Sequence, residues 1–167
     1  MATVKQYLDP GAFWPHATNI PELVKIDGTN FPVWGWAFAD STQDDQISCR
    51  WKAANYGSGN VSAIVHWYSR TGQTSGAVVW GAALSVLTPG DAQSMETDGL
   101  ATENTQTTTV NGTARGLTSS TITISNLDSL AADDSVEMRI RRLQSNGSDT
   151  MTGDAILVGV EIQYSDT

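Results

Sequence analysis

From residue 31 onward, apolar side chains recur at every second position in short runs separated by turn residues. Trp34, Trp36 and Phe38 alternate with Val33, Gly35 and Ala37, and Ile47, Cys49 and Trp51 alternate with Gln46, Ser48 and Arg50. A period of two places each set on one face of an extended strand. Residues 61–68 form a further strand, closed by Arg70-Thr71-Gly72. Residues 77–87 form a long, mostly apolar one that ends at Thr88-Pro89-Gly90-Asp91, a turn by composition. Residues 92–116 are poor in apolar side chains and rich in threonine, which predicts a long loop followed by short, exposed or edge strands. Residues 120–125, 136–141 and 155–164 alternate again. About eight strands result, with no amphipathic helix beyond a short turn near Leu127 to Leu130. This pattern predicts an all-β fold, an antiparallel two-sheet sandwich of the jelly-roll type.

Residues 1–30 read differently. Pro10, Pro15 and Pro21, with Pro32 just beyond, are four of the five prolines, and they punctuate Tyr7, Leu8, Phe13, Trp14, Leu23, Val24 and Ile26. Prolines at this density keep a chain extended and break helices. Extended apolar chain is stable only against another surface, either the rest of the protein or a neighbouring subunit. The expected organisation is therefore an extended N-terminal arm over residues 1–30 and a sandwich domain over 31–167. Tyr7, Phe13, Trp14, Leu23, Val24 and Ile26 are the expected arm anchors, with Trp14 the best placed to plug into a neighbour.

Composition narrows the function. The chain has 167 residues, 40% hydrophobic and 16% charged, with a net charge of −9. That is one domain's length, long enough for a core without disulfides. The negative balance argues against binding a nucleic-acid backbone, which needs clustered Lys and Arg. No apolar run approaches the ~20 residues of a membrane-spanning helix. The first residues lack a basic stretch followed by an apolar one, so synthesis in the cytoplasm without a signal peptide is expected. The single cysteine, Cys49, excludes an intrachain disulfide framework and a cysteine-rich zinc site.

Candidate chemistry is sparse. His16 and His66 are the two histidines, and neither sits in a metal-binding spacing; His66 reads as a strand residue with one satisfied hydrogen bond. Cys49 alternates with core residues and reads as a buried thiol. Gly57-Ser58-Gly59-Asn60 lacks the helix and lysine of a phosphate cradle and reads as a hairpin turn. Asp40, Asp44 and Asp45, then Asp133 and Asp134, then Asp149 and Asp154 gather in loops. Such groups can hold Ca²⁺ or flank a sugar in a glycosidase, but they read more simply as solvated turn carboxylates. No catalytic constellation, cofactor or metal is expected, so the chain is read as a non-enzyme. Of the six tryptophans, three or four are expected in the core. Trp34 and Trp36 share a face and should be both buried or both exposed. An exposed row of them would stack sugar rings.

The runs Phe31 to Phe38, Gly76 to Trp80, Val136 to Arg142 and Asp149 to Tyr164 resemble a recurring kind of tailed-phage and prophage virion protein. The resemblance spans roughly Phe31 to Tyr164 and consists of strand and turn residues rather than a catalytic motif. It implies a jelly-roll module of the capsid decoration (cement) or fibre and tail type, often a homotrimer on the capsid surface. Its partners would then be the major capsid protein and its own copies, with bridging of adjacent capsid subunits as the mechanism. A head or tail fibre module that contacts the host surface is one alternative. A carbohydrate-binding β-sandwich is the other, with a glycan as its partner.

Overall fold

In the computed structural model, residues 2–166 are described. They form eleven strands and one 3₁₀ turn: β1 (Thr3–Leu8), the turn Pro10–Ala12, β2 (Phe13–Pro15), β3 (Glu22–Asp27), β4 (Pro32–Phe38), β5 (Gln46–Lys52), β6 (Val61–Ser69), β7 (Ala77–Leu87), β8 (Asn104–Thr109), β9 (Thr118–Ile124), β10 (Ser135–Arg142) and β11 (Ala155–Ser165). Sheet A runs β3-β4-β11-β6-β9, with β1 also paired to β11; sheet B runs β2-β5-β10-β7-β8. All pairings are antiparallel. The two sheets pack face to face as an all-β sandwich of jelly-roll type, as the alternating pattern predicts. The strands read from residue 31 onward are β4 to β11. The Thr-rich segment supplies β8 at the edge of sheet B. The short turn expected near Leu127 is non-helical, and among the described residues the helical turn is Pro10–Ala12. There, Asp9 caps the backbone N–H of Gly11 at 2.8 Å.

Residues 1–30 are extended, and the surface they lie on is the rest of the same chain. β1 pairs with β11, the 3₁₀ turn crosses to the other sheet, β2 pairs with β5, and β3 returns to pair with β4. The boundary expected after residue 30 falls in the turn between β3 and β4.

The core lies between the sheets. Trp67 and Trp80 are fully buried; Phe38 meets Trp80 edge to face at 4.9 Å, and Trp67 tilts against it at 6.1 Å. The Trp67 indole N–H donates to Ser120 Oγ at 2.8 Å. Burial of Trp36, Trp51, Trp67 and Trp80 matches the expected number of core tryptophans. Trp34 and Trp36 part company, however, at 55% and 6% exposed. They share a face, but β4 pairs with β11 only from Trp36 to Phe38. Trp34 lies past the end of that ladder and lines an open surface pocket with Asp9, Pro10, Gly11 and Leu23.

Asp40 and Asp133 are exposed, as expected of turn carboxylates, but most of the loop carboxylates also act as structural acceptors. Asp40 accepts from Gly153 N, Asp44 from Ser145 N and Oγ, Asp45 from Ala39 N and Asp134 from Ala131 N. Asp133 pairs with Lys52 and Asp154 with Arg70. Asp149 forms the buried pair of the fold. Arg142 is fully buried, and its Nε and Nη2 donate to the two Asp149 oxygens at 3.1 and 2.9 Å. Nη1 donates to the carbonyls of Phe38 and Gly153, and Nη2 also to that of Met151. Every guanidinium N–H thus has an acceptor, and one side chain ties the end of β4 to the loop before β11.

Arg142→Ala would leave the Asp149 carboxylate buried beside three orphaned carbonyls. We expect a loss of about 3–5 kcal/mol, read as a fall in the urea midpoint with an unchanged slope.

Candidate functional site

On the solvent side of sheet B, three strands set polar side chains in register. Arg50 of β5 faces Glu137 of β10, which faces Ser85 of β7. One row along, Ser48 faces Arg139, and on its other side it faces Trp14 of β2. These residues are the outward members of the alternation whose inward members, Ile47, Cys49, Trp51, Val136 and Met138, fill the core. The floor is therefore polar because the core beneath it is apolar.

Two walls rise from this floor. On one side β2 carries Trp14, followed by His16. On the other, the segment between β7 and β8 brings Met95, Asp98 and Leu100 beside Leu87. That segment is anchored by Ala101 N donating to the Leu84 carbonyl at 2.7 Å. Together they enclose an open cleft of about 360 Å³.

The polar groups in the cleft are held in pairs. Arg50 Nη2 donates to Glu137 Oε2 at 3.1 Å, Ser85 Oγ donates to Asp98 Oδ2 at 2.7 Å, and His16 Nε2 lies 2.6 Å from Ser48 Oγ. The Arg50 guanidinium sits 5.9 Å from the centre of the Trp14 ring, at the outer reach of a cation–π contact. The indole remains 42% exposed. Burial raises the Glu137 pKa above the ordinary glutamate value, more than Arg50 and Ser48 lower it. Burial and then the Arg139 charge push His16 down. Next to the cleft, Glu103 accepts from Arg139 at 3.2 Å and from two Arg141 nitrogens at 2.9 and 2.7 Å. Gly81 lets this carboxylate lie across the sheet, since a Cβ there would stand 2.6 Å from Glu103 Cδ.

Chemically, the cleft offers an aromatic plate beside fixed donors and acceptors. Both of its carboxylates accept hydrogen bonds from cleft neighbours. Among the described residues, no group of three His, Cys, Asp or Glu is placed to hold a metal ion.

The six expected arm anchors scatter. Phe13 and Val24 are buried within this chain, Phe13 in the main core and Val24 in a second cluster with Ala37 and Ile156. Ile26 is half-buried beside that cluster. Tyr7, Trp14 and Leu23 are exposed. Tyr7 lies over Gly159, where a Cβ would collide with its hydroxyl, and that hydroxyl donates to the Val158 carbonyl at 3.2 Å. Only Trp14 belongs to the cleft. His66 sits on the outer face of sheet A with Nδ1 2.9 Å from Ser119 Oγ, as read. Cys49 is fully buried and its thiol pKa is pushed up by burial.

No family model and no curated protein matches the chain. Solved structures do. An arabinose-bound α-L-arabinofuranosidase superposes at a TM-score of 0.50 and 12% identity, covering 91% of this chain and 23% of that enzyme. The CBM36-1 domain of a multidomain xylanase from the hindgut metagenome of Trinervitermes trinervoides gives 0.49 at 9% identity, covering 98% and 100%. A family 6 carbohydrate-binding module from Clostridium cellulolyticum, in complex with xylose, gives 0.47 at 11%, covering 96% and 97%. What is shared is the sandwich fold.

The raised Glu137 pKa makes a signed prediction. The folded state holds that proton more tightly than the unfolded chain. Its contribution to stability is therefore full at acid pH and is lost as the pH rises through the folded pKa. A carboxyl-carbon NMR titration should place the Glu137 midpoint above the ordinary glutamate value, and Arg50→Gln should move it higher. A midpoint at or below the ordinary value would contradict the buried setting of this carboxyl.

Proposed function

We propose that this chain is a glycan-binding β-sandwich module that holds a neutral sugar ring in the cleft of sheet B without cleaving it. The observation that carries the reading is the half-exposed Trp14 indole standing beside a floor of paired hydrogen-bonding side chains. A pyranose has an apolar C–H face and a rim of hydroxyls. The indole plate covers the first. Arg50 with Glu137, Ser85 with Asp98 and His16 with Ser48 reach the second, and bonds to the charged members Arg50 and Asp98 are of the strong, charge-assisted kind. Because each group is already oriented by its partner, little side-chain freedom is lost on binding.

The second reading is a virion cement protein, a homotrimer that clamps the major capsid protein at the capsid surface. It is favoured by the exposure of Tyr7, Trp14 and Leu23 along the N-terminal segment. A solution mass of three chains by light scattering would move weight to it.

For the glycan reading, calorimetric titration with xylohexaose, cellohexaose and mannohexaose should find a saturable ligand. Trp14→Ala should weaken that binding by about tenfold or more while the melting temperature stays near wild type. Leu23→Ala, exposed elsewhere, should bind as wild type does. Absence of binding to every such oligosaccharide, or a Trp14→Ala variant that binds normally, would sink the reading.

A further inference from the structure

The opposite side of the sandwich carries a second groove of different character. On the outer face of sheet A, Ile26, Phe31, Val33, Tyr68, Leu117 and Val158 line a half-open groove of about 470 Å³. Its volume is that of a small-molecule site, and such sites are mostly apolar with few polar groups. Three local features build it. The slip in β11 between Leu157 and Gly159 makes Val158 an extra residue on that strand, and bulges re-aim side chains in this way. The Gly28 turn closes tightly enough that a Cβ would sit 2.6 Å from the Phe31 carbonyl oxygen, which brings Phe31 back toward the groove. Phe31 and Leu117 are left exposed at 69% and 59%.

The charge around this groove selects its occupant. The chain holds 18 acidic residues, yet none lines the groove, and its one charged lining residue is Arg115. Arg115 makes no ion pair among the described residues; its Nε donates to the Arg70 carbonyl at 3.4 Å. Arg70, close by, is neutralised by Asp154 at 3.0 Å. The result is an apolar channel with a single uncompensated cation at its rim, beside the Tyr68 ring.

We infer that this groove binds a small amphipathic monocarboxylate, its hydrocarbon body along the apolar lining and its carboxylate on Arg115. The hydrocarbon supplies most of the affinity through burial, and the guanidinium supplies the preference for an anion. The site lies on the other sheet from the Trp14 cleft and does not depend on the glycan reading.

The test is calorimetric titration of the full chain with decanoate, below its micellar concentration, against decan-1-ol and decyltrimethylammonium. One decanoate should bind per chain, about tenfold more tightly than either comparator. Arg115→Gln should remove that preference and leave decan-1-ol unchanged, whereas Phe31→Ala should weaken both. Both side chains are exposed, and an unchanged melting temperature would verify that the variants fold. Equal affinity for the acid and the alcohol, or indifference to Arg115→Gln, would overturn the inference. So would an oligomer in light scattering that Phe31→Ala dissolves, since the face would then belong to a second copy of the chain. Trp14→Ala should bind decanoate as wild type does.

Discussion

Between Leu157 and Gly159 the last strand slips by one residue against β6, and on its other edge two partners meet at the same place. β4 pairs with β11 from Ala155 to Leu157, and β1 takes over from Val160 to Ser165. A strand cannot share one edge between two partners unless the first peels away, and the irregularity in β11 coincides with that handover. Gly35, where β4 leaves, could not accept a Cβ, which would stand 2.6 Å from the Leu157 carbonyl oxygen. Gly159, where β1 arrives, leaves room for the Tyr7 ring. The consequences spread outward: Trp34 is carried past the core, and Val158 becomes part of the outer groove. The β3–β4 hairpin hangs from the sheet by the three-residue ladder that remains.

A second constraint is the shortage of charge. With so few Lys, Arg and Glu, turns are held by short acceptors rather than by surface ion-pair networks. Aspartates bind backbone N–H groups across sequence gaps, as Asp128 does with Val86 at 2.8 Å and Asp149 with Val79 at 3.0 Å. Exposed ion pairs contribute little, whereas a carboxylate that satisfies a buried N–H removes a desolvation cost. The acidic excess therefore reflects loop architecture as much as solubility. Arg142 is the extreme case, a cation placed where the core meets the loops and surrounded by acceptors.

The alternation of residues from 31 onward made the fold class legible, most cleanly in β6, β9 and β10, which bury one face each, while β7 was legible as a continuous apolar run buried on both faces and β8 by its threonines. The three N-terminal strands were not legible as strands. β2 has three residues and β1 only alternates exposed with half-buried positions, so only the prolines and scattered aromatics stood out. Trp34 shows where face logic ends: periodicity assigns a side, but whether anything lies on that side depends on where the neighbouring strand stops. The cleft was legible in one residue, Trp14. Its other polar members are His16 just after β2, single residues on β5, β7 and β10, and Asp98 between β7 and β8; they lie far apart in sequence and meet only through strand order. Pairing across such gaps is a tertiary fact that local pattern does not contain.

The N-terminal segment links these observations. It starts on sheet A as β1, crosses at the Pro10 turn, joins sheet B as β2 and returns to sheet A as β3. Closing both sheets at their margins, it supplies an edge wall to each groove: Trp14 and His16 to the polar cleft, Ile26 and the Gly28 turn to the apolar one. The core needs little of this, since its largest fully buried side chains come from β4 onward. Residues that build recognition surfaces are thus concentrated where the sandwich can vary them without disturbing the packing between the sheets. An extended segment punctuated by proline suits that role, because proline limits the freedom of the unfolded chain and holds the segment open along two sheet edges in turn. The two grooves differ in chemistry because the strands behind them differ. Sheet B turns alternating charged residues outward from β5 and β10, whereas the margin of sheet A turns out the aliphatic residues of β3, β4 and β11.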